Sequence, residues 1–161
     1  MTERLTHVDE AGAARMVDVS GKQPSTRRAV AAGRVRTTPE VVALLRAGAV
    51  AKGAALAVAR IAGIMGAKRT PDLVPLCHPI ALHSVAVDLD LVVDGVEITA
   101  TTRTADRTGV EREALTAVTT AALALVDMVK AADPAALIDQ VRVLRKEGGK
   151  TGEWVRPGDR P

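Results

Sequence analysis

This chain of 161 residues has no phenylalanine, no tyrosine and a single tryptophan. Its core must be built from Ala, Val, Leu, Ile and Met, small side chains that let helices approach a sheet closely but bury little area each. Hydrophobic stabilisation scales with buried apolar area, so such a core favours additional burial between subunits. The missing Phe and Tyr also argue against a sheet that binds RNA by stacking bases on aromatic rings. There is one cysteine, Cys77. No intramolecular disulfide can form, which fits a reducing cytoplasm. One Cys and three His, at positions 7, 78 and 83, do not make the two-plus-two ligand spacing of a zinc site. No apolar run approaches the ~20 residues of a membrane helix. The polar start MTERLTHVDE carries no signal-peptide apolar segment. The net charge of +3 is mild and suits an anionic small molecule as well as nucleic acid. The length predicts one domain spanning residues 1–161, with 1–13 and 155–161 expected to be flexible.

What is present reads as alternating elements. Residues 14–20 suggest a short strand. Residues 27–38 read as a strand interrupted at Gly33. Thr38, Pro39 and Glu40 supply an N-cap, a first-turn proline and a dipole-complementing acid for a helix that should stop near Gly48. A second helix is predicted over 51–70, before Pro71. From residue 83 the period changes to alternation, and Asp94-Gly95 signals a hairpin turn leading into the β-branched strand VEITATTRT. A long helix is predicted over 109–133 and a last strand over 137–147, with a glycine-rich close and a disordered tail. The order strand, helices, hairpin, helix, strand is an α+β layout of the ferredoxin-like type, an antiparallel sheet with helices on one face.

Three groups of residues carry potential chemistry. The stretch PLCHP, 75–79, holds Cys77 and His78 between two prolines. Cys77 reads as a small buried hydrophobe or, given a base and an electropositive setting, as a nucleophile. Pro79 forces His78 toward extended geometry, and a rigid extended segment can hold an imidazole at a cleft. His83, at a strand start, reads as structural or exposed. On the long helix, Glu111 and Glu113 complement the N-terminal dipole. Asp127 and Lys130 form an i,i+3 ion pair, although Asp127 follows the apolar run AALALV, where an unpaired carboxylate is costly. Glu113 and Asp127 stand about 21 Å apart along the axis at about 1.5 Å per residue. If both ends act, either the ligand is long or two subunits share one site. Third, Lys52 and Lys150 lie beside glycines, and Lys68, two residues after Gly66, is followed by Arg69. A lysine with neighbouring backbone N–H groups can hold an anion, while each alone also reads as a solvated surface charge. The GxxxxGK[ST] spacing of a P-loop is absent. These features point to an enzyme or binder acting on a phosphorylated small molecule.

The segments KGAALAVARIAGIMGAKRTPDLVPLCHP, TGVEREALTAVTTAALALVDMVK, GGKTG and LTHVDEAGAARMVDVSGK closely resemble the cyclic pyranopterin monophosphate synthases of molybdenum cofactor biosynthesis. The likeness runs from about Leu5 to Trp154. It implies a lyase that converts 3′,8-cyclo-7,8-dihydro-GTP, made by an upstream radical enzyme, to cyclic pyranopterin monophosphate with release of pyrophosphate. It implies a ferredoxin-like fold and a homo-oligomer, a hexamer built from dimers, with active sites at the dimer interface. It implies catalytic roles for Lys52, His78, Asp127 and Lys130. Substrate contacts are implied at Leu76, Cys77 and His78 and at Arg112 and Glu113, and triphosphate contacts at Lys68, Arg69 and Lys150. No resident cofactor, metal site, nucleic acid or membrane partner is implied; a divalent cation can accompany the triphosphate. Two positions depart from the pattern: Ala54 stands where many relatives have Asp, and Arg112 where many have Met. The alternative function is a non-enzymatic, oligomeric α+β module that binds a phosphorylated small molecule without turning it over.

Overall fold

The computed structural model describes residues 6–50 and 54–159. Five strands and four helices follow in the order β1 (Ser25–Arg36), α1 (Pro39–Arg46), α2 (Ala55–Lys68), α3 (Thr70–Leu73), β2 (Ser84–Val92), β3 (Gly95–Asp106), α4 (Glu111–Val129), β4 (Leu137–Glu147) and β5 (Trp154–Val155). The sheet order is β2-β3-β1-β4-β5, and every pairing is antiparallel. The first four strands have the ferredoxin-like order, with α2 and α4 packed together on one face, as the sequence pattern predicts.

The elements form where local chemistry favours them. The Thr38 hydroxyl accepts from the Val41 N–H at 3.3 Å and caps α1, with Pro39 in the first turn. Gly48, at φ +66, ends that segment in the left-handed conformation. Residues 14–20 do not form the expected strand. Their one β contact is an isolated bridge from Ala14 to Val8, and Asp18 bends the chain by accepting the Ser20 N–H at 2.9 Å. Gly33 does not interrupt β1. The irregularity sits on β4, where residues 140 and 141 oppose Gly33 alone and Gln140 takes φ 56, a bulge. The hairpin loop is Val93–Asp94, and Gly95 already pairs with Val92. Gly95 is required for closeness rather than for a left-handed turn: a Cβ there would stand 2.2 Å from the Val35 carbonyl oxygen. Trp154 and Val155 pair with Lys146 and Arg145. Arg142 holds Asp159 at 2.8 Å, so the expected disordered tail has partners along the β4 edge.

The core lies between the sheet and the α2–α4 layer and is assembled mainly from alanine and valine, with Ile98 and Leu125 its largest fully buried apolar members. Small residues permit the approach. A Cβ on Gly63 would come within 2.9 Å of the Ala117 carbonyl oxygen, and one on Gly66 within 2.4 Å of the Thr120 hydroxyl. Helix α2 thus packs against α4 almost backbone to backbone, the arrangement that a chain without Phe or Tyr can reach.

Candidate active site

Helix α4 sets the geometry, because the polar groups singled out in the sequence gather at its two ends. At its N-terminal end Glu113 is 1 % exposed. Its Oε1 accepts from the Cys77 thiol at 3.5 Å, while Oε2 has no hydrogen-bond partner. Burial pushes the Glu113 carboxyl above its ordinary range. Cys77 is also buried, and its pKa is raised, first by burial and then by the Glu113 charge. Cys77 therefore stays a thiol, and the nucleophile reading loses its electropositive setting. Glu113 is a carboxyl in the core, beyond the dipole-complementing surface role that its first-turn position suggests.

His78 lies beside this pair. Its ring Nε2 is 2.5 Å from the Val17 carbonyl oxygen. It lines a cavity of about 460 Å³ with Val17, Asp18, Ile80, Asp106 and Arg107. Leu76, Cys77 and Arg112 line a second, mostly apolar cavity of about 520 Å³, together with His7 and Val74. Arg112 also borders a third, with Leu73, Leu115 and Leu123, and its guanidinium reaches the Thr108 hydroxyl at 3.5 Å. Lys150 lines a cavity of about 660 Å³ with Lys22, Gln23, Ser25, Arg27 and Gly149. Gly148 and Gly149 adopt φ +93 and +76, and the Arg27 guanidinium, packed on Gly149, donates to the Asp106 carbonyl at 3.2 Å. This ties the glycine loop to the segment that enters α4. His83 is exposed, and its Nδ1 accepts from the Ala105 N–H at 3.4 Å.

At the other end of α4, Asp127 and Lys130 form the i,i+3 ion pair at 2.7 Å. The expectation that Asp127 sits in apolar surroundings is corrected. Its side chain is 53 % exposed, because the run AALALV turns its buried members, Ala121, Ala122 and Leu125, toward the core and leaves Asp127 on the outer face. Lys68 and Arg69 are exposed at the C-terminal end of α2 and line none of these cavities. Lys52 lies outside the described residues. Among the described residues no cluster of three or more His, Cys, Asp or Glu could hold a metal ion.

Within one chain, then, the structure gathers His78, Cys77, Leu76, Arg112 and Glu113 at one end of α4 and keeps Asp127 and Lys130 at the other. Sequence reasoning missed Lys22, Arg27 and Arg107. Lys22 follows Gly21, so it carries the same lysine-beside-glycine signal that marked Lys52 and Lys150. Arg27 and Arg107 had no local signal, since the pairing of β1 with β3 brings them together.

The comparisons with known proteins bear on this arrangement directly. A model of the MoaC family matches residues 16–149. The chain belongs to the MoaC family. It is 66 % identical over 154 residues to a cyclic pyranopterin monophosphate synthase of Streptomyces coelicolor, covering 96 % of this chain and 91 % of the relative. It is 60 % identical over 152 residues to cyclic pyranopterin monophosphate synthase 2 of Mycobacterium bovis, covering 94 % and 91 %. A Corynebacterium glutamicum protein of the same name is 56 % identical over 151 residues, covering 94 % and 97 %. The family match takes in both ends of α4, the PLCHP segment and the first two glycines of the GGKTG loop. No helix of the described residues is long and apolar enough to cross a membrane.

Proposed function

We propose that this chain is a lyase of molybdenum cofactor biosynthesis that converts 3′,8-cyclo-7,8-dihydro-GTP to cyclic pyranopterin monophosphate and pyrophosphate. The observation that carries the reaction is identity of up to two thirds, over nearly the full length, with relatives named for that product. At that level of likeness the non-catalytic binding module is the weaker reading.

The geometry supports one way of completing the site. The two polar groups of α4 lie about 21 Å apart at about 1.5 Å rise per residue. Between them the outer surface of the helix layer exposes apolar side chains, Val58, Ile61 and Met65 in one stripe of α2, Leu73 on α3 and Leu123 on α4, with Thr119 among them. A second copy laid on this face with its α4 antiparallel covers the stripe. It also brings Asp127 and Lys130 of one chain to Cys77, His78, Arg112 and Glu113 of the other. Each dimer then holds two complete sites, and three dimers make the hexamer. In this reading Asp127 holds and orients Lys130, and Lys130 and Lys52 exchange protons with the rearranging base. Lys150, Lys68 and Arg69 hold the triphosphate and the departing pyrophosphate. A cation travelling with the triphosphate would be held by phosphate oxygens rather than by a protein ligand set. The protein works in the cytoplasm, downstream of the radical enzyme that makes its substrate.

The test is pyrophosphate release and pterin formation from the cyclised nucleotide. Lys130→Ala and Glu113→Ala should each be inactive. Mixing the two should restore part of the activity, because one of the two sites in a mixed dimer is intact. No recovery in verified mixed oligomers rejects the shared site.

A further inference from the structure

The contact between His78 and the segment before β1 says more than that the histidine faces a cavity. A backbone carbonyl oxygen only accepts hydrogen bonds. Since Nε2 of His78 lies 2.5 Å from the Val17 carbonyl oxygen, Nε2 must carry the proton. The neutral ring is then the Nε2–H tautomer, and its remaining lone pair is on Nδ1.

The segment that follows this carbonyl is itself fastened. Asp18 accepts the Ser20 N–H at 2.9 Å, and the Lys22 N–H reaches the Val19 carbonyl at 3.0 Å. The Lys22 carbonyl accepts from the Arg107 guanidinium, also at 2.9 Å. Residues 17–22 therefore form a strap, bent twice and fastened to the loop before α4. The main chain of His78 is restricted from the other side by Pro79, whose ring holds the residue before it in extended geometry. A ring tethered at Nε2 and at its backbone has little freedom to present any atom but Nδ1.

We propose that His78 meets the substrate through Nδ1, and that the strap at 17–22 is the positioning element that sets this tautomer. The inference rests on the lyase reading for His78's place in the site. The step it assigns is a proton transfer. Nδ1 takes a proton from an N–H or O–H of the substrate, and the bonding pair stays on the substrate heteroatom. The proton is returned from the same nitrogen later in the cycle. The imidazolium formed keeps its Nε2–H···O bond to Val17, now charge-assisted, with the Asp18 carboxylate close by. The ring need not rotate between accepting and returning the proton, so the strap replaces the carboxylate that orients many catalytic histidines.

Two measurements test this on the full-length protein. The first is nitrogen-15 spectroscopy of the histidine rings above their titration, with the His78 signals assigned by their loss in His78→Gln. A protonated Nε2 and a bare Nδ1 are expected; the opposite tautomer overturns the proposal. The second compares His78→Asn with His78→Gln. The Asn amide places a polar atom near the position of Nδ1, whereas the Gln amide reaches the position of Nε2 and can donate to Val17. Both should lose about 10²–10⁴-fold in kcat, the usual worth of a positioned acid–base group. Asn should keep KM near wild type, while Gln should raise it about 5–10-fold, the worth of one lost hydrogen bond. A lower KM in Gln than in Asn overturns the assignment of Nδ1. Unchanged kcat and KM in both variants overturns it as well and removes His78 from the site. In that event the lyase reading is still decided separately by Lys130→Ala.

Discussion

Replacing Glu113 by glutamine separates the cost of a buried charge from every other role of this residue. The substitution keeps shape and volume and leaves an oxygen for the Cys77 thiol to donate to. The carboxyl pKa is raised in the folded chain, chiefly by burial. A raised carboxyl pKa means that the folded state binds the proton more tightly than the unfolded state. The penalty is absent below the unfolded pKa of about 4.3. It grows as the pH climbs to the folded value and is constant above it. Within that window the wild type loses up to about 1.4 kcal/mol per pH unit relative to the glutamine variant. For a chain of this size, about 1 kcal/mol moves the melting temperature by roughly 2–4 °C. Melting curves at matched protein concentration should therefore nearly coincide at pH 4 and separate at pH 8, with Glu113→Gln the higher. Activity should fall in the same variant, a trade of function for stability. A pH-independent difference, or a wild type that gains on the variant as the pH rises, would refute the reasoning.

Other outcomes follow from the same geometry. Lys130→Ala should abolish pyrophosphate release yet lower the melting temperature only slightly, since an i,i+3 pair on a helix contributes only about 0.2–0.5 kcal/mol; a large loss of stability would show that Lys130 holds the fold or the subunit contact together by more than this pair. Gly66→Ala should cost about 1–3 kcal/mol by overpacking α2 against α4, read as a lower urea midpoint at an unchanged slope. Cys77 should resist iodoacetamide at pH 8 in the native protein and react at once in urea, because burial and its carboxyl neighbour keep the thiol protonated; rapid native alkylation would show that the segment opens.

Much of the fold is legible in the sequence because its signals are local. Period, caps and breakers place α1 and β4 with their bounds, and the change from helical to alternating spacing at residue 83 marks the hairpin. The misreadings are tertiary in origin. Gly33 looks like a strand break, but its cause is distant: a Cβ there would stand 2.6 Å from Val118 on α4. Gly95 looks like a turn residue and is instead a point of contact with Val35. The segment 14–20 has the alternation of a strand but pairs with none in the sheet, and its end runs into the strap over His78. For the site, residue types and motif likeness find Cys77, His78, Glu113, Asp127, Lys130 and Lys150. They cannot find that Glu113 is buried against Cys77, or that Lys22 and Arg27 share the cavity of Lys150, because those facts depend on how β1 crosses the sheet.

Trp154 gives the absence of other large aromatic rings a practical use. The chain's one indole lies on the β4 edge, 36 % exposed and 5.6 Å from the Arg156 guanidinium, four residues beyond Lys150. Its emission will be blind to most of the interior and will answer to events at the glycine loop. Titrating an anionic ligand against this built-in fluorophore offers a readout from the chain just beyond Lys150, with no label and no need for turnover.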